Sequence, residues 1–369
     1  MASSISPLAL HRAGNNFGFL RVVFALLVIV SHSPVLIDGN NSRELWNQIF
    51  GPTFSLGGLG VDGFFLISGY LITKSFQSSK TIGAYLFKRV LRIYPGFLVA
   101  YAISFVFVGW LAGGKLSAMT WIAWLKQFIY MLLLNGPREL DGVFAQLPFP
   151  ALNGSMWTIG LEFQCYLLVI VAGVCGLLQK RWIYLAITLC LVPIALSHSF
   201  NLHVPLPYKD VIPYYYAPTT TLNDSLRFMA IFLCGGAFYL FRDEIVYTDR
   251  GAFFAAAMLV PMLFNYHLVE PGLAILGGYL LFWFSFRKVK ALNGIGRKVD
   301  LSYGIYLYAW PIQSLLILYI ADISPWTVTI IASAISAAFA YVSWTLVEYP
   351  CLLLKGERRI GTRNATAAT

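Results

Sequence analysis

Two ionisable residues stand in one apolar stretch, FGFLRVVFALLVIVSHSPVLI over residues 17–37: Arg21 near one end and His32 near the other. Inside a bilayer such groups are costly unless they face a polar cavity or a partner, so each marks a functional position. Eleven residues at about 100° each bring His32 back to within about 20° of Arg21's face, three turns and about 16 Å further along a helix. One face of this helix therefore looks into something polar. A neutral imidazole can take the proton of a hydroxyl, and a guanidinium can hold an anion.

Two acids are set inside other apolar stretches, Asp62 in GGLGVDGFFLISGYLI and Glu162 in SMWTIGLEFQCY. With the N-terminus inside, the first span runs outward and the second and fourth run inward, which brings His32, Asp62 and Glu162 to one depth near the outer side. A carboxylate on one imidazole nitrogen would fix His32 as a general base and stabilise its imidazolium. Alone, a membrane histidine is usually a packing residue; the two acids at its depth and Arg21 on its face favour catalysis. The glycines 57, 58, 60, 63 and 69 indicate close helix packing through small residues.

A second cluster is Lys88, Arg89 and Arg92 in FKRVLRIYP, after which Pro95 opens the third span. Arg89 and Arg92, three apart, share a helix face. Two readings stand: a basic helix on the membrane surface, or a socket for cytosolic phosphates, which the arginine fork suits.

The elements that position these groups are membrane spans. Hydrophobic residues make up 58% of the 369 and charged ones 11%, against about a quarter charged in soluble domains. The chain reads as an all-α integral membrane protein, a bundle of about ten transmembrane helices. The expected spans are 17–36, 57–76, 95–113, 157–178, 182–199, 225–242, 251–267, 270–286, 301–320 and 325–346. Segment 117–133, interrupted by Lys126 and Gln127, reads as a re-entrant or interfacial helix. Most of the 26 Lys and Arg fall in segments that this assignment places inside, so both termini are expected in the cytoplasm. Arg227 lies within the sixth span without a role of its own. Residues 1–16 form a cytoplasmic leader, 17–350 the membrane domain and 351–369 a cytoplasmic tail. The first span is an anchor and not a cleaved signal.

The net charge of +10 is largely this inner-face excess, which anionic membrane lipid accommodates; no nucleic-acid partner is implied. Five cysteines, 165, 175, 190, 234 and 351, lie in or beside spans, so neither a disulfide framework nor a metal site is expected.

Further candidates carry two readings each. Ser155 and Trp157 open the fourth span, as acceptor contacts or as a helix cap and an interfacial aromatic. Tyr303, Tyr306 and Trp310 form a helical stripe that reads as packing. Glu348 reads as the structural partner of an inner-face arginine. The loops 135–156 and 200–224 are Pro-rich and aromatic; the run Tyr214, Tyr215 and Tyr216 suits a sugar platform or an interfacial girdle. The sequon at Asn364 falls on the cytoplasmic tail and is discounted.

Arg21 and His32 with ten residues between them, GVDGFFLISGYLI at 60–72, RVLRIYP at 89–95, SMWTIGLEFQCY at 155–166, LSYGIYLYAWPI at 301–312 and VEYP at 347–350 together resemble the membrane-bound acyltransferase-3 family. Each motif is weak alone, but six in order over residues 17 to about 350 are specific. The resemblance implies a multi-pass protein of the bacterial inner membrane that moves an acyl group, usually acetyl, from acetyl-CoA in the cytoplasm to a hydroxyl of a carbohydrate or other glycosidic acceptor. Family acceptors include lipopolysaccharide, exopolysaccharide, nodulation factors and macrolides. On that reading His32 is the base with Asp62 or Glu162 orienting it, an acyl-histidine intermediate being the less favoured variant. Arg21, Arg89 and Arg92 would hold the donor's phosphates, and its long arm would rise toward His32. Many members carry a fused periplasmic hydrolase-like domain. This sequence ends about twenty residues past its last expected span, so it is expected to act alone or with a separate partner. The other class consistent with buried His, Asp and Glu is a proton-coupled carrier, for which no inverted repeat is evident.

Overall fold

The computed structural model describes residues 15–138, 140–196 and 222–354. Most of the leader and tail, Asn364, Glu139, and the loop segment holding Tyr214, Tyr215 and Tyr216 lie outside the described residues. Among the described residues every regular element is a helix. Five are long and apolar enough to cross a membrane: α1 (Phe17–Asp38), α3 (Leu56–Gln77), α4 (Ile82–Leu111), α6 (Trp157–Val174) and α12 (Pro325–Leu354). Helices also stand at the other five expected places: α7 (Arg181–Leu196), α8 (Leu222–Leu240), α9 (Asp249–Leu263), α10 (Val269–Ser285) and α11 (Ser302–Tyr319). These fall short of that standard in length or apolarity.

Starts and stops follow local chemistry. Ser55, Thr81, Thr248 and Ser324 each accept a hydrogen bond from a backbone N–H of the first turn of α3, α4, α9 and α12, satisfying donors that a helix start leaves unpaired. Gly39, at φ 73°, ends α1 in the left-handed conformation. The buried carboxylate of Glu44 accepts from Asn47 N at 3.0 Å in the short helix α2 (Leu45–Phe50) and from Leu56 N at 2.8 Å at the start of α3.

Helix α3 runs through the middle, packed on α1 and α8. A Cβ on Gly69 would lie 2.0 Å from Phe232 O, and one on Gly235 2.1 Å from Leu66 O. The α3–α8 crossing therefore requires glycine on both sides, as the small residues of α3 suggested.

Two boundaries differ from expectation. Pro95 does not open the third span; it lies inside α4, which runs unbroken from Ile82 and carries π turns at Ile103–Val108. Packing outweighs the one backbone bond that proline removes. Arg89 and Arg92 thus sit on a spanning helix and not on a separate surface segment. In the 117–133 segment, α5 (Trp121–Leu132) exposes Trp121, Ile122, Trp124, Leu125 and Phe128, while Gln127 is buried. Gln127 is an anchor and not an interruption: its side chain accepts from the Tyr101 hydroxyl at 2.8 Å and donates to Arg138 O at 2.6 Å. The outward apolar face suits the edge of a bilayer.

Candidate active site

Two cavities lie between α1, α3, α6 and α11. The first is lined by Arg21, Arg89, Arg92, Glu162, Tyr166 and Tyr303 among others; we call it the arginine cavity. Its arginines are not equivalent. Arg21 and Arg92 both donate to Asp300 Oδ2, at 2.6 and 2.5 Å. Asp300 Oδ1 accepts from the Ser302 hydroxyl at 2.6 Å. Burial alone would raise the Asp300 carboxyl; Arg21, Arg92 and Ser302 instead hold it below the usual range. Glu348 stands 4.0 Å from Arg92 and accepts from the Ser343 hydroxyl at 3.2 Å, the structural pairing expected of it.

Arg89 is different. Its guanidinium lies over the rings of Tyr85 and Tyr166, 6.0 and 5.8 Å from their centroids, with Ser75 Oγ 3.5 Å away. Its Nε is buried without a hydrogen-bond partner, and no carboxylate pairs with it among the described residues. A half-buried guanidinium with no paired carboxylate has donors to spare, and this donor set fits an incoming phosphate.

The second cavity is lined by His32, Ser155, Trp157, Arg227, Glu270 and Trp310 among others; we call it the histidine cavity. The His32 ring stands edge to face with Trp310, 5.0 Å between centroids, and its Nδ1 is buried without a hydrogen-bond partner among the described residues.

Neither expected carboxylate orients that ring. Asp62 lines neither cavity; both its oxygens accept from Arg227 Nη2, at 2.8 and 2.9 Å, while Arg227 Nε donates to Glu270 Oε2 at 2.8 Å. Glu162 does not share His32's cavity. It lies in the arginine cavity, where its Oε1 accepts from Ser68 at 2.8 Å and from Tyr166 at 2.6 Å. Asp62 is buried and Glu162 half-buried, but the nearest strong donors claimed both. Arg227 was visible as a second arginine within a span, which demands a carboxylate at its own depth. Two acids outside the candidates, Glu270 at the first residue of the eighth expected span and Asp300 just ahead of the ninth, also hold arginines.

The remaining candidates divide between the cavities. Ser155 Oγ is buried without a partner and does not cap α6, which has no side-chain cap. Trp157 packs on Phe228, 5.7 Å between ring centroids. The stripe expected to be packing lines the cavities instead: Tyr303 the first, Trp310 the second and Tyr306 both. Val61, Thr158 and Tyr306 are the residues common to the two, and the Thr158 and Tyr306 hydroxyls are 2.7 Å apart. No group of three or more His, Cys, Asp or Glu arranged for a metal occurs among the described residues.

An arginine-lined pocket and an imidazole pocket thus meet at Val61, Thr158 and Tyr306. Comparisons with known proteins point to an acyltransferase. The acyltransferase domain model of the acyltransferase-3 family matches residues 15–345. An O-acetyl transferase of Shigella phage Sf6 is 27% identical over 349 residues, covering 92% of this chain and 96% of the relative. Nodulation protein 10 of Rhizobium leguminosarum bv. viciae is 25% identical over 364 residues, covering 94% and 95%. No solved structure matches the chain. With the family's domain spanning almost its whole length, this chain belongs to the acyltransferase-3 family.

Proposed function

We propose that this O-acyltransferase moves an acetyl group from acetyl-CoA to a hydroxyl of a carbohydrate acceptor, the donor entering the arginine cavity and the acceptor the histidine cavity. The observation that carries the reading is the meeting of the two cavities on one set of helices, with unpaired Arg89 in one and His32 in the other. The arginine cavity faces the cytoplasm of a bacterial inner membrane, in line with the basic excess of the segments on that side. Acyl groups then cross without transport of the whole donor.

Arg89 takes a phosphate of the donor. Arg21 and Arg92, held by Asp300, shape the pocket wall and add positive field. Glu162, Ser68 and Tyr166 offer hydrogen bonds along the path to the wall. On the far side, Trp157, Trp310 and Phe149 give flat apolar faces that suit a sugar ring. Arg227, fixed by Asp62 and Glu270, presents a rigid polar patch beside it. His32 removes the proton of the attacking hydroxyl; the oxygen forms its bond to the thioester carbon, the carbon–sulfur bond breaks, and the proton passes from the imidazolium to the departing thiolate. His32 Nδ1 has no hydrogen-bond partner among the described residues, and Trp310 packs edge to face on the ring.

The test is transfer itself. Purified protein is given radiolabelled acetyl-CoA and an extract of cell-surface glycans. Label in a glycan, released by mild base as acetate, supports the reading. Tight coenzyme A binding with no label transferred to any glycan would overturn the carbohydrate acceptor and point to a small molecule such as a macrolide. Absence of both would overturn the donor and favour the carrier.

A further inference from the structure

The wall between the cavities has a chemistry of its own. Thr158 and Tyr306 are both buried, and their hydroxyls meet at 2.7 Å. Thr158 Oγ1 also lies 3.3 Å from Ser155 O, a carbonyl that can only accept. Threonine has one hydroxyl proton. Either hydroxyl can donate in the 2.7 Å bond; with the threonine proton on Ser155 O, Tyr306 is the donor to Thr158. Phe64 of α3 packs edge to face on Tyr306, 5.9 Å between centroids, and closes the wall from the third side with Val61.

The position matters as much as the bond. Tyr306 precedes Trp310 by one turn of α11, about 6 Å, and Trp310 touches His32. Thr158 precedes Glu162 by one turn of α6. The hydroxyl pair therefore lies between the level of Glu162 in the arginine cavity and the level of His32 in the other. An acyl thioester reaching His32 from the arginine cavity must pass this pair, and its carbonyl oxygen arrives as a hydrogen-bond acceptor where Tyr306 already holds a donor.

We propose that Tyr306 is the carbonyl-binding residue of the transfer step: its hydroxyl closes the passage on Thr158 when no acyl group is present, and turns to the thioester carbonyl when one is. The exchange leaves Tyr306 with one donated bond throughout, and Thr158 keeps its bond to Ser155. As the acceptor oxygen adds, the same donor faces the developing oxyanion, where a fixed hydroxyl acts most strongly. The closed state keeps water and small solutes from running between the cavities. This inference rests on acetyl-CoA being the donor.

Two donor analogues test it on purified protein, the carba(dethia) analogue of acetyl-CoA, which keeps the carbonyl, and S-ethyl-CoA, which lacks it. Wild type is expected to bind the carbonyl analogue about tenfold more tightly, and Tyr306→Phe to lose that preference while retaining affinity for S-ethyl-CoA. Tyr306→Phe should also lower kcat for acetyl transfer about 100-fold with KM for acetyl-CoA little changed. Thr158→Val should keep the carbonyl preference and raise acceptor-independent hydrolysis of acetyl-CoA, because the passage loses its latch. A Tyr306→Phe protein that keeps the preference, or a wild type that binds both analogues equally, overturns the assignment and leaves the donor reading standing. A wild type that binds neither analogue overturns the donor reading and this inference with it.

Discussion

The two cavities are built on opposite arrangements of the same ions. In the arginine cavity one carboxylate, Asp300, ties two guanidiniums together. Beside the histidine cavity one guanidinium, Arg227, ties two carboxylates. Where the shared ion is the acid, guanidinium donors remain over, and Arg89 stands next to them unpaired. Where the shared ion is the base, Arg227 takes both Asp62 oxygens and holds Glu270 with its Nε, at the wall of the pocket that contains His32. The molecule thus sets an arginine-rich cluster apart from an acid-rich one, and both clusters fasten helices distant in sequence.

The sharpest way to break this comparison is to remove the shared ion from each side. Arg227→Met leaves the buried Asp62 without its cation and takes one from Glu270, and is expected to cost about 3–5 kcal/mol of stability, read as thermal unfolding in detergent. Asp300→Asn leaves Arg21 and Arg92 facing each other without their shared anion, at about 1–3 kcal/mol. The two should then part company: added coenzyme A recovers much of the Asp300→Asn loss, because its phosphates can replace the missing charge, and recovers none of the Arg227→Met loss. Equal losses that ignore coenzyme A would erase the distinction. Least disruptive to the fold is Arg89→Gln, which breaks no ion pair among the described residues. It is expected to unfold within about 1 kcal/mol of wild type, as for positions outside a packed network. Its coenzyme A affinity should fall about 10- to 100-fold, as for a lost charge-assisted hydrogen bond. Unchanged affinity would remove Arg89 from the donor site.

The sequence was most informative where a single helix decides the outcome. Arg21 and His32 share a face because the helical period puts them there, and they open into the two cavities in turn. The glycines of α3 announced a close crossing, and Gly69 meets the backbone of α8 as such residues do. Partner choice was less legible. Helical spacing fixes the depth and face of Asp62 and Glu162 but says nothing of which donor on another helix lies nearest, and Arg227, Ser68 and Tyr166 lay nearer than His32. Asp300 and Glu270 escaped notice for a related reason: at the edge of an apolar run an acid looks solvated, and only packing shows that it is buried. Pro95 misled through a local rule, since a proline that ends an isolated helix is tolerated within α4 once neighbouring helices hold it.

The division of labour between the two cavities is tested most directly on His32→Ala, with coenzyme A affinity and acetyl transfer measured on one preparation beside wild type. The account predicts coenzyme A affinity within about twofold of wild type, and transfer lower by about 100-fold or more, the scale of a lost general base. Transfer at the wild-type rate, or loss of donor binding together with transfer, would contradict it.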